Sequence, residues 1–392
     1  MAQSRSSSIS CSRRTCSPGG VTTSRTDVIV VGAGASGLSV AAVLARRGRH
    51  AIVLERDDSV GTTWVRRYDR LCLHTTRRFS GLPFHPLPRS HPRYVPKDLY
   101  ARYLADYVRQ AGLDVRLDSR VERVQRSASG WRLTTAGGEL ETRAVVIATG
   151  RHSIPQLPDW PGADDYAGRL LHSSDYATGA EFAGKQTLVV GIGNSGAEIA
   201  VDLVEQGAAS VSIAVRSRPP ITSREIGGIP VQLLGIALHP LPASLVDRLG
   251  KVMRRHATGD LRRFGLGREE WGPFVERRPP VIDVGFIREL KAGAIKVLPA
   301  VVSLTPRGVV TADGNERPFD LVVAATGFTT GLERLLDAPE ALDERGYPRP
   351  DHATAGLFFA GYSETPRGQL FEANRSSRNL AATIDDYLGR TA

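Results

Sequence analysis

The spacing of glycines and β-branched runs predicts an α/β protein built from two similar units, the second inserted in the first. Three observations carry this: a glycine-rich turn at Gly32–Gly37, the same device at Gly191–Gly196, and matching strand-to-turn segments at 145–150 and 321–327. Each glycine turn lies between a β-branched run and an amphipathic helix pattern. That is the order of a Rossmann-like dinucleotide-binding domain, so two such domains are expected.

In the first unit Val28-Ile29-Val30-Val31 reads as a strand buried on both faces. Gly32-Ala33-Gly34-Ala35-Ser36-Gly37 follows, and then Leu38, Ala41, Ala42, Leu44 and Ala45 recur at helical spacing until Gly48. Gly32 allows the tight turn, Gly34 lets the backbone approach a pyrophosphate, and Gly37 lets the helix pack closely on the strand. The helix start, which includes Ser36, turns unpaired N–H groups and its positive dipole end toward the phosphates. The next strand, Ala51-Ile52-Val53-Leu54, ends at Glu55, placed to accept hydrogen bonds from a ribose diol.

The second unit repeats the pattern. A strand over 185–190 leads into Gly191-Ile192-Gly193-Asn194-Ser195-Gly196, and Ala197, Ile199, Ala200, Leu203 and Val204 mark the apolar face of a helix ending near Gly207. The strand from Ser210 to Val215 ends at Arg216-Ser217-Arg218, where the first unit has an acid. Arginine suits a 2′-phosphate as a carboxylate suits a free 2′-hydroxyl, and Arg216 is the better candidate. The first site is therefore expected to take FAD and the second NADPH.

Val145-Val146-Ile147-Ala148-Thr149-Gly150 and Leu321-Val322-Val323-Ala324-Ala325-Thr326-Gly327 precede and follow the second turn. Leu357-Phe358-Phe359-Ala360-Gly361 and an amphipathic helix near 376–388 are too little for a domain of their own. They are expected to complete the first. The expected organisation is a flexible tail over 1–26, an FAD domain over 27–158 and 306–392, and an NADP domain over 159–305. The stretch 219–285 fits no cradle element and reads as helices and loops over the NADP domain. Gly150, Gly327 and Gly361 close strands of this frame and join the expected cofactor contacts.

Composition narrows the function. With 392 residues, 41% apolar and 23% charged, the chain is globular rather than disordered. Arg5, Arg13, Arg14 and Arg25 supply four of the ten net positive charges and no acid precedes Asp27, so residues 27–392 carry only +6. No basic stripe interleaved with aromatics suggests nucleic acid. The tail also has the Arg-rich, Ser-rich, acid-free composition of a transit peptide. No apolar run is long enough to cross a bilayer. Cys11, Cys16 and Cys72 form no Cys-x-x-Cys pair and no cluster with histidine, so neither a dithiol active site nor a structural metal site is expected. So few cysteines point to a reducing, cytoplasmic setting. Oligomeric state is left open.

Tyr166-x-Gly168-x-x-x-His172-x-x-x-Tyr176, just before the second turn, resembles the identifying stretch of the class B flavin-dependent monooxygenases, with Tyr where that family usually opens with Phe. Gly61-Thr62-Thr63-Trp64 resembles the family's flavin-side Gly-x-x-Trp, and Ala325-Thr326-Gly327-Phe328 its Ala-Thr-Gly-Tyr. The YUCCA-type branch is the nearest likeness. It is carried by Tyr68-Asp69-Arg70-Leu71-Cys72-Leu73-His74-Thr75, Phe79-Ser80-Gly81-Leu82-Pro83, Tyr94-Val95-Pro96 and Pro280-Val281-Ile282-Asp283-Val284-Gly285.

The resemblance implies that NADPH reduces FAD and that reduced FAD and O2 form a C4a-hydroperoxide. This species either oxygenates a soft N or S atom of a small molecule or attacks a keto carbon, as in the oxidative decarboxylation of indole-3-pyruvate. It implies catalytic positions for His74, near the reactive flavin, and for Asn194; either Asn194 or Ser195 is expected to cap the helix. Trp64 is expected at the flavin, and His172 is expected to hold the linker between domains. An uncoupled NADPH oxidase and a non-catalytic NADPH sensor are the competing readings.

Overall fold

The computed structural model describes residues 26–352 and 354–390. The expected tail lies outside the described residues, except that Thr26 opens the first strand.

Two sheets form the frame, the first mixed, with Gly130–Thr135 antiparallel to both its neighbours, and the second parallel. In the first, the order is Asp114–Arg116, Ala51–Leu54, Thr26–Val31, Gly138–Ile147, Gly130–Thr135 and Val121–Ser127, with Leu357–Phe359 also paired to Gly138–Ile147. The Thr26–Val31 strand is parallel to both neighbours, with Val28 opposite Ala51 and Ala144. Its Val28, Ile29 and Val30 are fully buried, which is why the run is β-branched on both faces rather than alternating. The helices Ala35–Arg46 and Lys97–Ala111 and the terminal helix Gln369–Arg390 pack on this sheet through one core. Arg47 and Arg49 both pair with Asp385, tying the first and last helices at the surface.

The second sheet runs Ile295–Leu298, Ser210–Ala214, Gln186–Val190, Leu321–Ala324 and Arg169–His172, all parallel. Here one expectation is corrected. The sequence reading gave residues from 306 onward to the first unit, whereas Leu321–Ala324 lies between two strands of the second sheet. The three strands Val301–Thr305, Gly308–Thr311 and Glu316–Pro318 precede it, and Leu304, Val309 and Phe319 share a core with Leu188 and Val322. The chain leaves the second sheet only after residue 324. It then returns beside its point of exit, where Phe328–Thr329 pairs with Ile154–Pro155.

The matched segments thus serve one unit each. Gly32 N donates to Leu54 O and Ala148 N to Val31 O in the first. Gly191 N donates to Ala214 O and Ala325 N to Val190 O in the second.

The 219–285 stretch contains the helices Val231–Leu238 and Ala243–Thr258 together with short strands, of which Val281–Asp283 pairs with Ile221–Ser223. It does more than cover the second unit. Gln232, buried in the first of these helices, accepts from Thr76 N at 2.9 Å and donates to Arg367 O at 3.0 Å. Both partners belong to segments of the first unit, so the insertion bridges the two. Among the described residues no helix is long and apolar enough to cross a membrane.

Candidate functional site

Both glycine turns open on one cavity of about 1150 Å³ between the two sheets. Of the expected site residues, Gly32, Gly34, Ser36, Glu55, Trp64, His74, Gly150, Gly193, Asn194, Ser195, Gly327 and Gly361 line it. Gly37, Gly191, Gly196 and Arg216 do not.

The glycines divide by physical cause, and the two turns agree position by position. Gly32 and Gly191 have φ of 106° and 103°, which side chains rarely adopt, and a Cβ there would meet the carbonyls of Ala148 and Ala325 at 2.7 and 2.6 Å. Gly37 and Gly196 lie under their helices, where a Cβ would meet the carbonyls of Gly32 and Gly191. Gly34 and Gly193 differ from both classes. Their φ values, −76° and −79°, suit any residue, and a Cβ at either would have no protein atom within 4 Å. Nothing in the protein itself requires glycine there, but a ligand pressed to the backbone would. Each of these glycines also precedes its helix without any side-chain cap. The first-turn amides therefore face the cavity unpaired, which suits a pyrophosphate.

Around the first turn, Glu55 accepts from Ala33 N at 2.7 Å and Asp57 N at 3.1 Å, which fixes its carboxylate beside the turn. Gly361 presses on Ser36, leaving only 2.4 Å between a Cβ there and the Ser36 hydroxyl. Trp64 has two surroundings: it lines the cavity and packs edge-on against the buried ring of Tyr100 at 4.8 Å.

At the second strand end the structure separates the two arginines. Arg218 is half-buried and donates to Gly267 O at 3.1 Å, whereas Arg216 is exposed and makes no hydrogen bond or ion pair among the described residues. Arg216 is the free cation.

Asn194 is corrected in part. Neither it nor Ser195 caps the helix, since Gly193 holds that position, and Asn194 Oδ1 instead accepts from Ile282 N at 2.7 Å. It thereby anchors the Pro280–Gly285 motif, in which Asp283 accepts from Gly285 N and Ile287 N and starts the helix Phe286–Lys291.

The Tyr166–Tyr176 stretch is built for structure. Tyr166 donates to Phe319 O at 2.9 Å, and its ring lies where any side chain on Gly168 would go. Tyr176 donates to the buried Asp202 at 2.7 Å. His172 Nδ1 accepts from Ser174 N, so the proton is on Nε2, which donates to Gly327 O at 2.9 Å. His172 holds the returning linker, and burial pushes its imidazole below the usual range.

His74 lines the cavity with Nε2 2.5 Å from Glu198 Oε1 on the second cradle helix, Asn194–Glu205. Glu198 escaped the sequence reading. The signal was an acid set in the apolar face Ala197-Glu198-Ile199-Ala200, where a buried charge requires a partner. Arg67 was also missed. It lines the cavity half-buried, stacked over Phe328 at 5.1 Å, and no acid pairs with it among the described residues.

Two strand-to-helix cradles sharing one cavity define an oxidoreductase that brings two dinucleotides together. The family model for pyridine nucleotide-disulphide oxidoreductases matches residues 29–225. The indole-3-pyruvate monooxygenase YUCCA1 of Oryza sativa subsp. japonica is 40% identical over 371 residues, 91% of this chain and 90% of that protein. YUCCA6 of Arabidopsis thaliana, also an indole-3-pyruvate monooxygenase, is 34% identical over 92% and 90% of the two chains. The solved flavin-containing monooxygenase from Stenotrophomonas maltophilia superimposes with a TM-score of 0.72 at 25% identity, covering 93% of this chain and 99% of that one. The chain belongs to the YUCCA-type family of class B flavin monooxygenases. It is an FAD-containing, NADPH-dependent monooxygenase.

Two predictions follow from the cradles. Gly34→Val has room in the protein, so the variant folds but loses its yellow flavin, while Gly193→Val keeps FAD and is no longer reduced by NADPH. Flavin absorbance before and after anaerobic NADPH reads both, and the opposite pattern would reverse the two sites. For Arg216, a charge-assisted contact to phosphate contributes about 1.5–3 kcal/mol, so Arg216→Ala weakens NADPH binding roughly ten- to a hundredfold. NADH binding stays unchanged, and equal losses for both would remove Arg216 from the 2′-phosphate site.

Proposed function

We propose that this chain uses NADPH and O2 to decarboxylate an aryl-pyruvate, with indole-3-pyruvate as the representative substrate. The frame is two dinucleotide-binding units, the second inserted in the first. In this reading Gly34 and Ser36 meet the FAD pyrophosphate and Glu55 the ribose. Gly193 and Ser195 meet the NADPH pyrophosphate and Arg216 its 2′-phosphate. Gly37 and Gly196 hold the helices in place, and Trp64, Gly150, Gly327 and Gly361 wall the flavin side. Bound FAD supplies the hydride acceptor and the oxygen-activating group, and the protein orients the partners and excludes water.

The observation that carries the substrate class is Arg67. A partly buried cation with no acid beside it is unfavourable unless a ligand brings the anion. Burial lowers the Arg67 guanidinium from its usual range. Although His152 is open to the cavity, the protein packed around it together with Arg67 and Arg151 holds its imidazole down to about 4, so it remains neutral beside them. Arg151 is matched by Glu364 at 2.6 Å, and Arg120 and Arg334, which also line the cavity, are exposed, so Arg67 is the half-buried cation left to meet a carboxylate. The far wall is apolar: Leu234, Leu238, Leu249, Met253 and Phe274, from the helices and loop of the insertion, suit an aryl group. The substrate named for the rice and Arabidopsis relatives, an aryl keto acid, has both features. An amine or thioether would leave Arg67 without a partner.

The test is oxygen-dependent release of carbon dioxide from indole-3-pyruvate or phenylpyruvate in the presence of catalase. Product should be stoichiometric with NADPH, with one oxygen-18 atom from molecular oxygen in the acid. Loss of product with catalase, or oxygenation of amines and sulfides alone, overturns the reading. Separately, Arg67→Met should raise KM for the keto acid roughly ten- to a hundredfold and leave KM for NADPH unchanged. A rise confined to NADPH would assign Arg67 to the cofactor instead.

A further inference from the structure

Glu198 lies on the second cradle helix, one turn beyond Asn194, and is among the most buried charged side chains, 1% exposed. Its partners come from the other unit. His74 Nε2 lies 2.5 Å from Oε1, and the Tyr68 hydroxyl is turned toward the same carboxylate and the Ser195 side chain. Burial and the adjoining Glu198 push the Tyr68 hydroxyl well above the ordinary tyrosine range, so it keeps its proton. Arg70 runs along the same helix but does not neutralise the acid. Its guanidinium donates to the main-chain carbonyl of Glu198 at 3.4 Å and pairs with Glu205 at 3.2 Å. Three polar side chains of the Tyr68–His74 motif, Tyr68, Arg70 and His74, therefore converge on one helix, and two of them on one carboxylate.

A carboxylate has no proton to give, so the nitrogen facing Glu198 must carry the hydrogen, and in a neutral ring the other nitrogen is then an acceptor. His74 Nδ1 has no partner among the described residues, and His74 lines the cavity. We propose that Glu198 is a positioning residue, which locks the His74 ring with Nε2–H turned into the protein and presents Nδ1 as a lone-pair acceptor to an N–H or O–H group of the bound ligand. A buried acid holds the imidazole while the imidazole meets the ligand, the division of labour found in acid–histidine–nucleophile triads. The contact also joins the units, so the ring is aimed only when the second cradle helix is seated against the Tyr68–His74 segment.

The experiment uses FAD-loaded, histidine-labelled nitrogen-15 protein and two-bond proton–nitrogen NMR, which distinguishes the two neutral tautomers. The chain has nine histidines, and the His74 signals are assigned by their loss in His74→Gln. The native enzyme should show His74 as a single Nε2–H tautomer at neutral pH. In Glu198→Leu the preference should collapse to a mixture. In Glu198→Gln it should weaken, because an amide can donate as well as accept. Unaltered FAD content and melting temperature show that each variant is folded. A native His74 protonated on Nδ1, alone or together with Nε2, overturns the proposal whatever the variants do. So does an unchanged tautomer in either folded variant. No turnover is required, so this outcome is independent of whether the keto-acid reading survives.

Discussion

A Cβ atom on Gly37 would stand 2.1 Å from the Gly32 carbonyl oxygen, and one on Gly196 would stand 2.0 Å from that of Gly191. This close approach of helix to turn is the constraint on which the cavity depends. It sets each helix start against the end of its strand, so the unpaired amides emerge at the carboxyl edge of the sheet, where open α/β folds bind ligands. With both helices seated this way, the two cradles share one space. The Tyr68–His74 segment and the insertion helices then have fixed surfaces to bridge.

Most of the frame was legible because its signals are local. The β-branched runs, the glycine spacing and the helical periodicity all lie within about thirty residues of one another, and each has a single economical reading. Glu55 and Arg216 were singled out in the same way, by their place at a strand end. The position of Leu321–Ala324 was not local in that sense. A fully buried strand has the same composition in either sheet, so only the pairing with Gln186–Val190 tells which one it joins.

Asn194 and Glu198 show a second limit. Asn194 sits where a capping side chain is expected, but an amide elsewhere, on Ile282, takes its oxygen. Glu198 and His74 are 124 residues apart, and nothing in either neighbourhood names the other. Arg67 was hidden by abundance: among so many arginines, a half-buried one without an acid beside it is recognisable only when the pairings are known. The motif of Tyr166, Gly168, His172 and Tyr176 was legible as a pattern but not as a cause. Its spacing records which side chains reach Phe319, Gly327 and Asp202.

The exit and return of the chain at Ile154–Pro155 and Phe328–Thr329 bear on how the molecule is made. During synthesis the second sheet has all five strands once residue 324 has left the ribosome. The first sheet still lacks Leu357–Phe359, and its leading helix still lacks the terminal helix that covers it. The first sheet is thus the later of the two to have all its strands. The first cradle is completed only when Leu357–Phe359 and Gln369–Arg390 join it.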